Sequence, residues 1–202
     1  LRNSMEKINF DESTHTYRRD SLIVPSVTQI LQAAGLIDFS KVNPTVLEAA
    51  RKFGIATHLT CEYADKKILN ENTLDNNLRP LLYAWEKFKV DYKAEVLSIE
   101  EIVYSNIYDV AGRLDRRALI RGRHAVLDIK TSSETYPANA IQLAAYQGIW
   151  NEKKPAIEKI LDRLTVSLFS DGTYKVEPHK NKQDWPVFLS ARNIALFKKE
   201  HL

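Results

Sequence analysis

Cysteine is almost missing from this sequence: Cys61 is the only one in 202 residues. An internal disulfide is excluded, and so is any site needing several thiolates from this chain, including a four-cysteine iron–sulfur cluster. A reducing, cytoplasmic setting is the expectation that follows. Long apolar runs are missing too: none approaches the roughly 20 residues that cross a bilayer, and Leu1 to Lys7 lack the apolar centre of a signal peptide. There is no Gly-X-X-X-X-Gly-Lys-Ser/Thr loop, which excludes an ATP-driven motor in this chain. Nor is there an internal repeat, a low-complexity stretch or a linker that would divide it.

A large excess of one charge sign is also lacking. Lysine and arginine total 29 against 26 acidic residues, a net charge of +3 that is too small to mark a nucleic-acid binder. What positive charge there is clusters: Arg113, Arg116, Arg117, Arg121 and Arg123, with His124, crowd one short segment and predict a local basic face. With 44% hydrophobic and 27% charged residues, neither disorder nor a fibrous architecture is a candidate. The length suits a single domain with one core.

The periodicity predicts mixed structure. Ile8–Val24 reads as a hairpin turning at Arg19-Asp20. Ser26 and Gln29 form a capping box for a short helix that Gly35 ends. Asn43-Pro44 starts a second helix, which Gly54 interrupts before Ala56–Lys67 resumes it with His58 and Glu62 on one face. Leu74–Tyr92 carries an apolar stripe with charged residues opposite, and Pro80 leaves its start open. After Ala94 the period shortens, so that Glu95–Tyr108, Gly112–Ile120 and Ala125–Thr131 become three strands of an antiparallel meander. Pro137–Trp150 is an alanine-rich helix. Leu161–Phe169 and Thr173–Pro178 flank an Asp171-Gly172 turn, and a last helix spans Trp185 to Glu200. In segments, 8–93 supplies a hairpin and helices, 94–150 the chemical core, and 151–202 a hairpin and a helix.

Three stretches carry chemistry: Gly112-Arg113-Leu114-Asp115, Leu127-Asp128-Ile129-Lys130-Thr131, and Gln142-Leu143-Ala144-Ala145-Tyr146. Strand alternation puts Asp128 and Lys130 on one face and buries Ile129 on the other. With Gly122 and Arg123 at the hairpin tip, Asp115 lies opposite Lys130, and Arg117 opposite Asp128. A two-residue slip sets Asp115 opposite Asp128 instead and keeps the polar groups together; a one-residue slip would separate them. Two converging carboxylates repel each other unless a cation lies between them, and hard oxygen ligands favour Mg²⁺ or Mn²⁺. Such an ion can polarise a phosphodiester and acidify a water, while Lys130 orients that water or neutralises developing charge. Gln142 and Tyr146, four apart on a helix, face one way and are candidates to position a strand. Asp-X-Lys alone is a common surface ion pair; the neighbouring stretches are what distinguish this one.

In these residues the chain resembles the PD-(D/E)XK nuclease superfamily, in the branch that holds RecB-type nuclease domains and phage exonucleases. The resemblance rests on Gly112 to Asp115, Asp128 to Lys130 and Gln142 to Tyr146 in that order, on Gly54 followed by His58, and on His15-Thr16-Tyr17 and Pro25-Ser26-Val27-Thr28 upstream. It covers roughly residues 8 to 150. It implies an α/β fold, a restriction-endonuclease-like core whose central mixed sheet is flanked by helices. It also implies a site with Asp115, Asp128 and Lys130 as catalytic residues, and with His58, Asp115, Asp128 and the Ile129 carbonyl as metal ligands. A further glutamate on the preceding strand is Glu100 or Glu101, with Glu100 favoured. DNA is the implied partner, and exonuclease action in recombination or repair, plausibly of phage origin, is the implied role. Homo-oligomerisation, or pairing with a recombination or repair protein, comes with it as an expectation. A restriction-type or structure-specific endonuclease, or a non-catalytic DNA-binding module of the same fold, stays open.

Overall fold

The computed structural model describes residues 8–132 and 136–202. The reading made on Leu1 to Lys7 lies outside these residues. A small antiparallel sheet comes first, in the order β1 (Ile8–Asp11), β2 (Thr16–Arg19), β3 (Leu22–Val24). It has one strand more than the expected hairpin, because a second turn forms at Asp11. The Asp11 carboxylate accepts the Ser13 N–H at 2.9 Å and the Ser13 hydroxyl at 2.7 Å, the side-chain mimicry of a backbone turn at which aspartate excels.

Helix α1 (Val27–Ala33) starts at the predicted capping box: Gln29 N–H donates to Ser26 Oγ, and Ser26 N–H donates to Gln29 Oε1. Helix α2 (Pro44–Asp65) begins at the Asn43 cap and runs unbroken through Gly54. The interruption expected there does not occur. A glycine inside a helix costs only about 1 kcal/mol, which a 22-residue helix absorbs. Helix α3 (Arg79–Tyr92) starts at its proline and not at Leu74, since proline is tolerated only in the first turn.

The principal sheet is mixed, in the order β4 (Ala94–Ser105), β5 (Val110–Ile120), β6 (Arg123–Lys130), β7 (Asp162–Leu168), β8 (Tyr174–Pro178). All neighbours are antiparallel except β6 and β7, which are parallel and joined through α4 (Pro137–Asn151). Helix α5 (Asp184–His201) packs on α1 and α4. This is the expected α/β architecture, a central mixed sheet flanked by helices.

Apolar residues fill both sides of that sheet. Val126 joins Val27, Leu31, Leu143, Tyr146 and Phe188 beneath α1, α4 and α5. Ala125, Leu127 and Ile129 join Cys61, Leu81, Trp85 and Phe88 beneath α2 and α3. The alternation read for β6 therefore holds, and Ile129 is fully buried. Among the described residues no helix is long and apolar enough to cross a membrane.

Two readings need correction. The β5–β6 turn is the two-residue Arg121-Gly122, both at positive φ (51° and 81°), the twist that tight hairpins favour. Pairing then sets Arg117 opposite Val126 and Arg116 opposite Leu127, two residues from the register first drawn. The basic residues do not form one face either: Arg121 and Arg123 at the turn are exposed, whereas the others turn inward. Arg116 is fully buried, while Arg113, Arg117 and Arg123 pair with Glu100, Glu101 and Asp162.

Candidate active site

Extended one step, the observed register sets Asp115 abreast of Asp128, the slipped alternative drawn from the sequence. The ladder itself stops at Arg116 and Leu127. Beyond it Asp115 Oδ2 accepts the Ile129 N–H at 2.9 Å, so a carboxylate takes the place of a strand carbonyl. The strand ladder gives way here to side-chain contacts near the end of β6.

Asp128 and Lys130 meet as alternation requires, with Lys130 Nζ donating to Asp128 Oδ1 at 2.9 Å. Asp128 is only 4% exposed, and burial pushes its carboxyl above the usual range while Lys130 opposes that rise. Its other oxygen, Oδ2, is buried with no hydrogen-bond partner among the described residues. Burial would depress the Lys130 ammonium, but the Asp128 and Asp115 carboxylates more than offset this and hold it above its ordinary value.

His58 enters from α2. Its Nε2 is 2.9 Å from the Ile129 carbonyl oxygen, and its Nδ1 lies 3.6 Å from Asp115 Oδ2 and 3.7 Å from Glu100 Oε1. Burial disfavours the imidazolium, yet Asp115 and then Glu100 outweigh it and lift the ring to about 9. When protonated, the ring puts a positive charge between these carboxylates, alongside the Arg113 guanidinium on Glu100, and its Nε2–H donates to the carbonyl.

Of the two glutamates on β4, Glu100 stands on the site. It pairs with Arg113 Nε at 2.9 Å, whereas Glu101 turns to Ser98 and Arg117. Glu100 has φ +49°, a left-handed conformation that few non-glycine residues adopt and that tends to gather at functional sites. His58, Glu100 and Asp115 each offer a ligand atom within 4.8 Å of the others. Asp128 is not one of that trio, but it and the trio's His58 and Asp115 feel one another's charge. Two carboxylates, an imidazole, a backbone carbonyl and the Asp128 oxygen make an anionic, oxygen-rich donor set that suits a divalent cation.

Gln142 and Tyr146 are engaged within the protein: Gln142 Nε2 donates to Tyr146 Oη at 3.1 Å and to Thr28 Oγ1 at 3.2 Å. Tyr146 is 6% exposed, and burial, reinforced by Asp115, drives its phenol far above the usual range. Its ring lies so close to Gly112 that a Cβ there would come within 2.5 Å of Cε1. The glycine that opens the Gly112–Asp115 stretch is thus the space in which Tyr146 rests.

This chain is similar in structure to an alkaline exonuclease. The similar structures include two of LHK-Exo, from Laribacter hongkongensis. One, in complex with dAMP, is 10% identical, covers 88% of this chain and 88% of that chain, and has a TM-score of 0.49. The other is 10% identical, covers 85% and 86%, and also has a TM-score of 0.49. No protein-family model and no curated protein matches the chain.

Sequence reasoning missed the polar cluster behind the site. Arg116 Nε donates to Asp65 Oδ2 at 2.8 Å, and Asp65 Oδ1 accepts Trp85 Nε1–H at 2.9 Å and Lys89 Nζ at 2.8 Å. One signal was available: Asp65 follows His58 by seven residues on a single helix, and so lies on its face. Strict alternation hid the other half. Asp115 and Arg116 are adjacent on β5, yet both side chains meet α2, at His58 and at Asp65.

Proposed function

We propose that this chain is a divalent-metal-dependent deoxyribonuclease that hydrolyses DNA phosphodiesters, acting as an exonuclease in recombination or repair. The observation that carries the reading is the meeting of His58, Glu100 and Asp115 within ligand reach of one another, together with a buried Asp128 oxygen that has no hydrogen-bond partner among the described residues. The motif resemblance supplies the substrate class and the phage-type role.

His58, Asp115, Asp128 and the Ile129 carbonyl would hold the ion, joined by Glu100. Once bound, a Mg²⁺ or Mn²⁺ ion supplies charge neutralisation at the phosphate and lowers the pKa of water. The rest is work for the chain's own groups. His58 gives up its proton before its nitrogen can act as a ligand. Lys130, kept protonated by Asp128, offers N–H donors to an attacking water or to a phosphoryl oxygen, where charge grows in the transition state. Gln142 and Tyr146, joined by their own hydrogen bond, would position the strand. Arg113, pinned to Glu100, restricts how far that carboxylate can turn.

The test is digestion of end-labelled linear and covalently closed circular DNA with Mg²⁺, Mn²⁺ or EDTA. Loss of the linear form only, and only with metal, is the expected result. Cleavage of closed circles would reassign the protein to endonucleases; metal-dependent binding without cleavage would reduce it to a DNA-binding module.

A further inference from the structure

Arg116 has no exposed side-chain surface, and its partner Asp65 is 1% exposed. Burying a guanidinium costs several kcal/mol unless it is well paired, so a use for it is to be expected. Its Nε is held by Asp65 Oδ2 at 2.8 Å. In the other direction its Nη1 donates to the Asp115 carbonyl oxygen at 2.7 Å and lies 3.6 Å from Glu100 Oε1. Asp65 and His58 share a face of α2. One guanidinium therefore ties α2 to the sheet beside the place where His58 meets Asp115 and Glu100. Across from Asp115, Glu100 sits at φ +49°, a conformation that persists only where the surroundings over-determine it; Arg113 and Arg116 are those surroundings.

We infer that Arg116, locked by Asp65, is a positioning residue for the metal site: it fixes the spacing between the His58 imidazole on α2 and the Asp115 and Glu100 carboxylates on the sheet. This rests on the reading of those three as metal ligands. A competing physical effect has the opposite sign. A cation beside Glu100 repels an incoming metal, so as mere charge Arg116 would weaken metal binding. Asp65 at 2.8 Å offsets that charge, with Glu86 at 2.8 Å taking up the charge of the Lys89 that shares Asp65, which leaves geometry as the larger effect.

The experiment is titration of the full chain with Mn²⁺, followed by calorimetry and by the paramagnetic resonance of free Mn²⁺, with folding checked by circular dichroism. Arg116→Lys keeps the charge but not the planar fork that reaches Asp65 and the Asp115 carbonyl together. It should weaken Mn²⁺ binding roughly 10- to 100-fold, the usual cost of losing a group that orients a ligand, and Arg116→Met should do at least as much. Arg163→Lys alters another buried ion pair, Arg163 with Asp184, and should leave Mn²⁺ affinity unchanged, which separates positioning from general loosening. Unchanged affinity in Arg116→Lys, or tighter binding in Arg116→Met, would overturn the inference; if the methionine variant does not fold, the lysine variant decides. Absence of Mn²⁺ binding by the wild type would remove the metal-site reading and this inference with it. Wild-type binding that Arg116→Lys leaves intact would remove this inference alone.

Discussion

Gly112→Ala adds one methyl group where the structure has no room for it. The new Cβ would lie 2.5 Å from Tyr146 Cε1, 3.2 Å from Cδ1 and 3.3 Å from Val27 Cγ2. Carbon atoms rest at about 3.5–4.0 Å, so the ring has to retreat by roughly 1 Å. It has little freedom to do so: Tyr146 packs among Val27, Leu143 and Ile149, and Gln142 holds its hydroxyl. Overpacking of this kind costs about 1–3 kcal/mol, and for a chain of this size each kcal/mol lowers Tm by about 2–4 °C. Thermal unfolding followed by circular dichroism should therefore show a Tm lowered by roughly 2–12 °C. Tyr146→Ala empties the space, so adding Gly112→Ala to it should cost little, and the double-mutant cycle should report a coupling of about 1 kcal/mol or more. A Gly112→Ala protein that melts with the wild type, with no coupling to Tyr146, would refute the steric account of this glycine.

Asp65→Asn leaves Arg116 and Lys89 facing a neutral amide, and urea denaturation should show a loss of about 3–5 kcal/mol; a loss below about 1 kcal/mol, the scale of a surface pair, would contradict it. His58 is raised from 6.5 to about 9, so its contribution to the stability of the metal-free protein is complete below pH 6.5 and lost as pH rises through about 9. At about 1.4 kcal/mol per pKa unit this amounts to at most about 3–4 kcal/mol, less what solvent screening removes. In EDTA, the stability gap between wild type and His58→Gln should narrow from pH 6 to pH 10, and a constant gap would contradict the ion-pair assignment. Gly122→Ala at φ +81° should cost about 1–2 kcal/mol without altering Mn²⁺ affinity, since the turn lies at the far end of β6.

The chemical stretches were legible because their signals are local. Alternation alone sets Asp128 beside Lys130 with Ile129 buried, and the Ser26 and Gln29 box marks the start of α1. What escaped depends on tertiary structure. The hairpin register turned on whether Arg121 would accept a positive φ, which a sequence pattern does not reveal for arginine. The basic cluster reads as one local face, but Asp65, 51 residues away from Arg116, draws that residue into the core. Glu100 could be favoured over Glu101 only weakly, because the left-handed turn that aims it at His58 breaks the period on which the reading depended. Gln142 and Tyr146 were correctly placed on one helix face. Their mutual hydrogen bond could not be foreseen from spacing.

The central claim is that the site around Asp115 and Asp128 hydrolyses DNA with a bound metal. The most direct measurement is the rate at which wild type, Asp115→Asn and Asp128→Asn degrade end-labelled linear DNA in Mn²⁺, with EDTA controls and circular dichroism to show that each variant folds. EDTA should abolish wild-type cleavage, and either folded variant should lose at least about 100-fold in rate, the scale set by removing one electrostatic contact to the transition state. Cleavage by Asp128→Asn at the wild-type rate, or wild-type cleavage that persists in EDTA, would contradict it.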